Sequence, residues 1–356
     1  MTDSQPSPRR ESATPIRVGL IGYGVAGSVF HAPLIAANSN YRLQAIVTAD
    51  PLRATHARQR HPQATILENT QALWKMADQL DLAVIASPTS SHAELARTAL
   101  AAGLGVVVDK PFAVTAEEGR QLIATAAEAG LPFQVFQNRR WDGDFLTVRE
   151  LLDTGALGTV HRFESRFEWW KPTLSSKWKD STSRADGAGL AYDLGTHLVD
   201  QAIQLFGPVD SVYAELDARR PAAINDDDTF IALRHHNGTR SHLWMSCLAA
   251  DAGPRFRVLG DRATYTKHRL DPQETALAEG QSPNDAQYGS EAPEHWGTLH
   301  TGAGSTSVHT RKGDYPAFYR ELFQAIRFGT PLPVDSSGPL AALEIIEALK
   351  VDQHHA

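Results

Sequence analysis

An aspartate and a histidine stand one helical turn apart in the segment YDLGTHLVD, residues 192–200. On a helix, Asp193 and His197 at positions i and i+4 share one face. Histidine has an ordinary pKa of about 6.5, which suits reversible proton transfer near neutral pH. We therefore take His197 as a candidate general base whose ring Asp193 orients. Asp200, three residues after His197, is an alternative partner by spacing alone, and a solvated surface pair is the alternative to any catalytic role.

A glycine-rich loop supplies the second chemical feature. The sequence GYGVAG places Gly22, Gly24 and Gly27 between an apolar, strand-like segment and a helix-like one. In dinucleotide-binding folds this spacing gives a tight turn, lets the backbone approach a pyrophosphate and places the phosphates at a helix N-terminus. The loop therefore predicts a dinucleotide site that includes Val25 and Ala26, with a purely structural glycine turn as the alternative.

The next predicted strand, in RLQAIVTADP, lacks the terminal acid that bonds the adenosine ribose 2′-hydroxyl in many NAD sites. Thr48 holds that position, and a threonine is able to bond a hydroxyl or accommodate a phosphate. Asp50 is a candidate for the ribose, where it would discourage a 2′-phosphate. Because Pro51 follows it, Asp50 also fits a helix N-cap. Both interpretations stay open at this stage, and so does the choice between NAD and NADP.

A lysine ends the fourth predicted strand, in VVVDKPFAVTAEE (106–118). Doubly wound sheets bind ligands at the carboxyl ends of their strands, so Lys110 is expected at the nicotinamide end of the cofactor. Its ammonium would stabilise the alkoxide that develops as a hydroxyl loses its proton. A lysine in an ordinary surface turn is the alternative.

Two different patterns of secondary structure position these residues. Over roughly the first 135 residues, short apolar strands alternate with helices, which is typical of a doubly wound parallel sheet. These strands are predicted at 16–22, 42–49, 80–88, 104–111 and 131–138. Alternating aromatic runs then predict a largely antiparallel sheet. The runs lie at 160–170, 210–218, 229–236, 240–249 and 255–268, with helices at 142–154, 192–206, 316–328 and 338–350 and a long polar loop at 278–314.

We therefore expect an α/β protein of two domains. A disordered arm covers residues 1–14, a dinucleotide-binding Rossmann domain 15–137, and an α+β substrate and oligomerisation domain 138–356. The C-terminal helices of the second domain are expected to pack back on the first.

Composition excludes several classes of protein. A net charge of −7 gives no basic field for nucleic acid or an anionic membrane. The single cysteine excludes an intrachain disulfide framework and suits a reducing compartment. The polar N-terminal segment has no apolar core of signal-peptide length, and no run approaches a membrane span. No third metal ligand stands at a recognisable spacing from Asp193 and His197, so the sequence does not indicate a metal site. We expect a soluble, cytoplasmic protein.

Taken together, the motifs resemble the Gfo/Idh/MocA family of NAD(P)-dependent sugar and polyol dehydrogenases, and most closely its scyllo-inositol dehydrogenase branch. The similar segments are IGYGVAGSVFHAPLI (21–35), NRRWDGDFLTV (138–148), YDLGTHLVDQAIQLFG (192–207) and GPRFRVLGDRATYTKHRLDPQE (253–274). The resemblance implies an open, mostly antiparallel second sheet, and places the catalytic residues at Lys110, Asp193 and His197. NADP-using members of the branch carry Ser-Arg after the strand-end threonine, where this sequence has Ala49-Asp50.

A wider set of contacts is expected around these residues. They are Ser87, Pro88, His92, Asp109 and Asn138 for the cofactor, and Arg139, Arg140 and Tyr192 for the substrate. The alternative to a cofactor contact for His92 is a place at the start of a helix with no ligand. For residues 138–140, the alternative to ligand binding is a solvated turn.

The expected activity is hydride transfer between NAD or NADP and a CH–OH group of a cyclitol or sugar, by a homodimer or homotetramer. The alternatives are an aldose or keto-sugar oxidoreductase of the same family and a catalytically silent NAD(P)-binding regulator. The presence of both Lys110 and His197 argues against the silent regulator.

Overall fold

The computed structural model describes residues 14–174 and 182–349, which form two sheets with helices packed on them. The predicted N-terminal arm lies outside the described residues except for Thr14, and so does Lys350, the last residue of the predicted C-terminal helix. Within the described ranges, no helix is long and apolar enough to cross a membrane.

The first sheet is parallel and six-stranded, with the order β3-β2-β1-β4-β5-β6. Its strands are β1 (Ile16–Ile21), β2 (Tyr41–Val47), β3 (Thr65–Leu67), β4 (Leu82–Ile85), β5 (Gly105–Asp109) and β6 (Phe133–Phe136). Between them lie α1 (Ala32–Ala36), α2 (Pro51–Arg60), α3 (Thr70–Trp74), α4 (His92–Ala101) and α5 (Ala116–Ala129). This confirms the predicted doubly wound fold, whose order changes direction between β1 and β4, where such sheets bind ligands.

One strand of this sheet was not predicted. β3 has three residues and lies at the sheet edge, beside β2 alone. Its side chains are exposed or half-buried, so it lacks the apolar run by which the central strands were recognised. The parallel sheet therefore has six strands where five were expected from the sequence.

The second sheet has eight strands in the order β14-β13-β12-β11-β7-β10-β9-β8. They are β7 (Val160–Glu168), β8 (Val209–Asp217), β9 (Asp228–His235), β10 (Arg240–Ser246), β11 (Phe256–Gly260), β12 (Thr264–Lys267), β13 (Gly297–Thr301) and β14 (Gly304–Val308). All neighbours are antiparallel except β7 and β10. The predicted mostly antiparallel sheet is confirmed.

Two details of that prediction were wrong. The run at 255–268 contains two strands, β11 and β12, rather than one. The stretch at 278–314 is not simply a long loop, because it contains the β13–β14 hairpin. The strands of this hairpin are polar and mostly exposed, so no alternation of buried residues marked them.

Among the described residues, the helices of the second unit are α6 (Gly143–Asp153), α7 (Thr196–Phe206), α8 (Gln273–Ala278), α9 (Pro316–Phe328) and α10 (Ser337–Ala348). Helices were predicted near four of these positions. The predicted helix at 192–206 is in fact two pieces, a π-helical segment Ala191–Gly195 followed by α7. Another π-helical segment, Ala26–His31, follows the glycine loop and leads into α1.

Helix α9 packs on the parallel sheet, although it belongs to the end of the chain. The aromatic side chains of Phe318, Tyr319 and Phe323 share one buried cluster with strands β1 and β2. The hydroxyl of Tyr41 on β2 donates to the carbonyl of Tyr319 at 2.7 Å. Helix α10 packs on α7, and Glu347 of α10 accepts from the backbone N–H of Ala116 at 2.7 Å. The C-terminal helices thus join the two sheets around the candidate site.

Candidate active site

The glycine loop after β1 leaves its backbone open at one point. Gly22 has a φ of 95° and lies so close to the carbonyl of Ala86 that a side chain would clash there. Gly27 packs in the same way against the carbonyl of Gly22. At Gly24, by contrast, the nearest described atom to an added Cβ is Nη1 of Arg53, at 3.7 Å. Two glycines allow close packing and one leaves room for a ligand, so the loop fits the pyrophosphate of a dinucleotide.

Val25 and Ala26 lead from this loop into the first π-helical segment. Val25 is 65% exposed, and Ala26 begins the segment. π-helical turns are rare and occur mostly at functional sites. The other such segment, Ala191–Gly195, contains Asp193. The two regions that carry the predicted chemistry therefore share this irregular geometry.

At the end of β2, Asp50 serves as the N-cap of α2. Its Oδ1 accepts from the backbone N–H groups of Leu52 at 2.8 Å and Arg53 at 3.1 Å. The bond from Arg53 is the largest of the effects that lower the pKa of this carboxyl. Thr48 is buried, and its N–H donates to the carbonyl of Leu67 at 2.9 Å. The structure therefore favours the helix-cap interpretation of Asp50 and leaves a neutral side chain at the strand end.

His92 fastens the loop after β4 to the turn that carries Lys110. This histidine is buried, with Nδ1 2.8 Å from the carbonyl oxygen of Pro111 and Nε2 2.8 Å from that of Ser87. The hydroxyls of Ser87 and Ser91 are 2.7 Å apart, and Pro88 is extended between them. Both ring nitrogens of His92 face the protein, so its role here is to connect two loops at the carboxyl edge of the sheet.

Lys110 and Asp193 meet although 83 residues separate them in the chain. The Lys110 Nζ donates to the backbone carbonyl of Asp193 at 2.6 Å and to its Oδ1 at 3.0 Å. The side chains are 13% and 29% exposed, so the pair is accessible but largely shielded from water. Lys110 follows β5 and Asp193 lies in the second π-helical segment, so the contact joins the two halves of the predicted catalytic group.

Asp109, just before Lys110, lies near the end of the π-helical segment Ala26–His31 that follows the glycine loop. Its Oδ1 is 3.9 Å from Nε2 of His31, the last residue of the first π-helical segment. His31 is fully buried, and its Nδ1 is 2.7 Å from the hydroxyl of Tyr319. Burial lowers the pKa of His31 to about 4, against the opposing effect of the Asp109 charge. The glycine loop and the strand end that carries Lys110 are thus parts of one packed unit.

His197 lies in the first turn of α7 and is 4% exposed. Burial, and then the charges of Lys110 and Arg139, hold its pKa well below the usual 6.5, while the Asp193 charge opposes them. Its Nδ1 has no hydrogen-bond partner among the described residues. Asp193, which was expected to orient this ring, accepts two hydrogen bonds from Lys110 and raises the pKa of His197 through its charge. The low pKa keeps this imidazole neutral near pH 7, and a neutral ring has a nitrogen lone pair that is able to accept a proton.

The two arginines predicted to reach substrate are held by acids. Arg140 makes a two-point ion pair with Asp200, from Nε to Oδ2 at 2.8 Å and from Nη2 to Oδ1 at 2.6 Å. Asp200, the alternative partner of the candidate base His197, is therefore paired with Arg140. Arg139 donates to Glu274 at 2.6 Å and lies 3.5 Å from Asp142. Both arginines are less than 10% exposed, which gives them a structural role in this arrangement.

The remaining predicted residues lie close to this group. Asn138 is buried at the start of a short 3-10 turn after β6. Tyr192 precedes Asp193 in the π-helical segment, and its hydroxyl donates to the carbonyl of Val114 at 3.1 Å. The guanidinium of Arg184 lies over the Tyr192 ring, 5.1 Å from its centre. Tyr192 thus connects the segment to the turn after β5.

Two residues that no sequence motif marked, Phe167 and Arg255, pack near His197. The Phe167 ring meets the His197 ring edge-on, with centres 6.4 Å apart, and the Arg255 guanidinium lies 4.2 Å from the centre of the Phe167 ring. Arg255 also donates to Oε1 of Gln201, one turn after His197, at 2.8 Å. Arg255 precedes a strand in a run of alternating residues, so nothing in its spacing marked it as buried beside the candidate base.

Comparison with known proteins identifies the two units. A family profile described as "Oxidoreductase family, NAD-binding Rossmann fold" matches residues 16–137. A second, described as "GFO/IDH/MocA C-terminal domain", matches residues 145–266.

Similar proteins match nearly the whole chain. Scyllo-inositol 2-dehydrogenase (NADP(+)) IolW of Bacillus subtilis is 32% identical over 343 residues, which is 95% of this chain and 94% of the relative. The uncharacterized oxidoreductase YdgJ of Escherichia coli is 39% identical over 336 residues, covering 93% and 94%. Among solved structures, the putative oxidoreductase yvaA from Bacillus subtilis aligns with a TM-score of 0.88 at 31% identity, over 96% of both chains.

Proposed function

Because this chain belongs to the GFO/IDH/MocA family of oxidoreductases and has its NAD-binding Rossmann domain, we propose that it moves a hydride between NAD or NADP and a CH–OH group of a cyclitol or sugar. The observation that carries the proposal is the contact of Lys110 with Asp193, beside the buried His197. It brings the end of a dinucleotide-binding sheet together with a proton-accepting group of the second unit.

Each member of this group has a distinct task. His197 takes the proton of the substrate hydroxyl in oxidation and returns it in reduction, because its low pKa keeps it neutral at physiological pH. The Lys110 ammonium stabilises the developing negative charge on the same oxygen. Asp193 holds Lys110 through its carbonyl and carboxylate oxygens, and so fixes where that positive charge stands. The bound nicotinamide would supply the hydride acceptor.

The cofactor is assigned to the loop at Gly24 and the carboxyl ends of β2, β4 and β5. The open space over Gly24 and the close packing of Gly22 and Gly27 support this placement. Thr48 and the loop from Ser87 border the same edge of the sheet. We propose that His92 and Arg140 support the site rather than bind its ligands, because the hydrogen bonds of His92 join two loops and those of Arg140 pair it with Asp200.

The substrate class rests on the relatives. The Bacillus subtilis relative is named for its action on scyllo-inositol, and it matches this chain over nearly its whole length. A cyclitol or sugar offers several hydroxyls, one to react and others to bind. We propose this class for the present chain, with a cyclitol as the first compound to test.

We further propose that the protein is a homo-oligomer that buries the outer face of the second sheet. Tyr213 on β8 is 60% exposed there, and the rings of Phe230 and Trp244 are 5.1 Å apart beside it. Arg166 covers Trp244 at 3.9 Å. An exposed aromatic patch of this kind is typical of a protein interface. Light scattering of the purified protein tests this, and a monomer at micromolar concentration would contradict it.

The activity is tested by following reduced nicotinamide absorbance with a panel of cyclitols, aldoses and other polyols, with NAD and NADP offered separately. We expect turnover with at least one cyclitol or sugar. A protein that binds the dinucleotide but turns over none of the panel in either direction would contradict the proposal and favour a silent regulator.

A further inference from the structure

The proposed general base, His197, packs against a buried aromatic ring of the second sheet. Phe167 of β7 is fully buried, and its ring meets the imidazole edge-on, with the ring centres 6.4 Å apart. Two guanidiniums lie over the same phenyl ring, that of Arg139 at 4.9 Å and that of Arg255 at 4.2 Å from its centre. A cation within about 6 Å of a ring centre is attracted by the ring. The two arginines therefore hold in place the ring on which the base packs.

Arg255 joins this ring to the helix that carries the base. Its Nη2 donates to Oε1 of Gln201 on α7 at 2.8 Å, and its Nη1 donates to the hydroxyl of Ser165 on β7 at 2.5 Å. Gln201 lies one helical turn after His197, on the same face of the helix. Ser165 lies two residues before Phe167, on the same face of the strand. One guanidinium therefore connects strand β7 and helix α7 at the level of the base.

The third nitrogen of this guanidinium faces an acid. Arg255 is 2% exposed, and its Nε is 3.3 Å from Oδ2 of Asp144, the second residue of α6. Burial lowers the pKa of Arg255, against the opposing charges of Asp144 and Asp142. A buried ion pair is weak evidence for a gain in stability, because both charges have been taken out of water. The ion pair uses only one nitrogen of the group, and the other two bond to the strand and the helix beside His197.

The charged groups around His197 come from several elements. Burial is the largest cause of its low pKa, and the charges of Lys110 and Arg139, at the ends of β5 and β6, add to it. Asp193 of the π-helical segment opposes them, and Arg255, just before β11, lowers the pKa further. The acids that pair with the two arginines are Asp142, Asp144 and Glu274. Removal of the Arg255 charge is therefore expected to raise the pKa of His197.

We propose that Arg255 is a positioning residue for the general base, and that through Phe167 and Gln201 it fixes the His197 imidazole toward the substrate hydroxyl. The proposal rests on the proposed function, since it takes His197 as the base. A planar guanidinium with donors in a fixed fork is suited to this task, whereas a lysine at the same place would keep the charge and lose the fork. Position and charge can therefore be separated by substitution.

The first test is kinetic and uses the full-length protein with the polyol that it oxidises fastest. Arg255→Lys should lower kcat by about 10- to 100-fold, because displacing a catalytic group by about 1 Å has an effect of that size. The KM for the polyol and the affinity for reduced dinucleotide should stay within about 3-fold, and the loss of kcat/KM at low pH should not move. Arg262→Met, at an exposed arginine in the turn after β11, is the matched control and should leave kcat unchanged.

A second variant guards against a loss of folding. Arg255→Met alone would leave the Asp144 carboxylate buried and unpaired, so it is combined with Asp144→Asn, which keeps an acceptor for the N–H of Phe145. This double variant should also lower kcat by at least about 10-fold. Its loss of kcat/KM should begin at a higher pH, because a positive charge that lowers the pKa of His197 is gone. Circular dichroism and thermal unfolding check that each variant is folded.

Phe167→Leu tests whether the effect passes through the ring. It removes the flat ring between the base and the guanidiniums and keeps an apolar side chain, so kcat should fall by about 10-fold. When it is combined with Arg255→Lys, the loss should be smaller than the product of the two single losses, because both residues act on the position of one imidazole.

The outcomes separate this inference from the proposed function. A kcat of folded Arg255→Lys within about 3-fold of the wild type would overturn the inference and leave the dehydrogenase proposal standing. Fully multiplicative losses in Arg255→Lys and Phe167→Leu would also overturn it. If the wild type turned over no polyol or sugar, the proposed function would fail, and the His197 ring would be followed by NMR of ¹³C-labelled histidine, with His197→Ala to assign its signal. A signal that moves in Arg255→Lys but not in Arg262→Met would support the positioning role, and an unmoved signal would overturn it.

Discussion

Acidification should destabilise this protein, and His31 should account for a defined share of the loss. His31 is buried at the end of the π-helical segment Ala26–His31, and this burial lowers its pKa from 6.5 to about 4. In the unfolded chain it takes up a proton as the pH falls below about 6.5, whereas in the folded protein it stays neutral until about pH 4. The stability that the neutral His31 contributes is therefore fully present above about pH 6.5 and is lost progressively as the pH falls to about 4.

The size of the loss follows from the two pKa values. Each pH unit between them costs about 1.4 kcal/mol for one group, so His31 alone should cost the fold about 3 kcal/mol. His61, whose pKa burial also lowers to about 4, adds to the total in the same pH window. A variant is therefore needed to isolate the share of His31.

The measurement is urea unfolding at several values between about pH 7 and about pH 4. His31→Gln keeps a neutral polar group near the Tyr319 hydroxyl and removes the titration. This variant should be less stable near pH 7, where it loses packing on Phe136, yet lose about 3 kcal/mol less than the wild type on acidification. His236→Gln, at an exposed histidine, should follow the wild type. Parallel curves for His31→Gln and the wild type would refute this reasoning.

Three further substitutions test the cofactor loop, the helix cap and the buried ion pair. Gly24→Val should fold normally but lose at least about 10-fold in dinucleotide affinity measured by fluorescence, because a side chain would fill the open space over the loop; unchanged affinity would remove the cofactor from this loop. Asp50→Ala should lower the thermal midpoint by uncapping α2 while the NADPH-to-NADH affinity ratio stays constant, and a clear change of that ratio would show that the carboxylate faces the ribose. Arg140→Ala should destabilise the protein to urea by about 3–5 kcal/mol because it leaves Asp200 buried and unpaired. Replacing the pair together, with Arg140→Met and Asp200→Leu, should recover most of that loss; equal losses in the single and paired variants would contradict the ion-pair explanation.

The sequence predicted those elements of the fold that carry a strong periodic signal. The central parallel strands are short runs of buried apolar residues, such as GVVVD in β5, and they were found within a few residues of their ends. Helix α5 begins with a capping box from Thr115 to Glu118 and ends at Gly130 in a left-handed conformation, both readable from residue types. β3 and the β13–β14 hairpin were missed because their side chains are mostly exposed, so their polar residues give no burial pattern.

In the site, the residue types were easier to predict than their partners. The glycine loop, Lys110 and His197 were selected from spacing, position at strand ends and the family resemblance. The bond from Lys110 to Asp193 could not be read from the sequence, because it depends on how the segment before α7 packs against the end of a parallel strand that lies 83 residues earlier in the chain. The buried ion pair of Arg140 has the same origin, since two residues of opposite charge were brought together by packing rather than by spacing.

The kcat for polyol oxidation by Lys110→Met and by His197→Ala tests most directly whether these two residues act on one substrate oxygen. Loss of the base should lower kcat by about 10²–10⁴-fold, and loss of the charge by about 10²–10³-fold. Both variants should bind reduced dinucleotide within several-fold of the wild type, and Lys75→Met, at an exposed lysine, should be unaffected.

Because the free protein holds the pKa of His197 well below 6.5, the wild-type kcat/KM should show no loss from this residue as the pH falls through 6.5. The double variant should lose less than the product of the two single effects, since both residues stabilise one transition state. A near-normal kcat in either single variant, with dinucleotide bound, would contradict this mechanism.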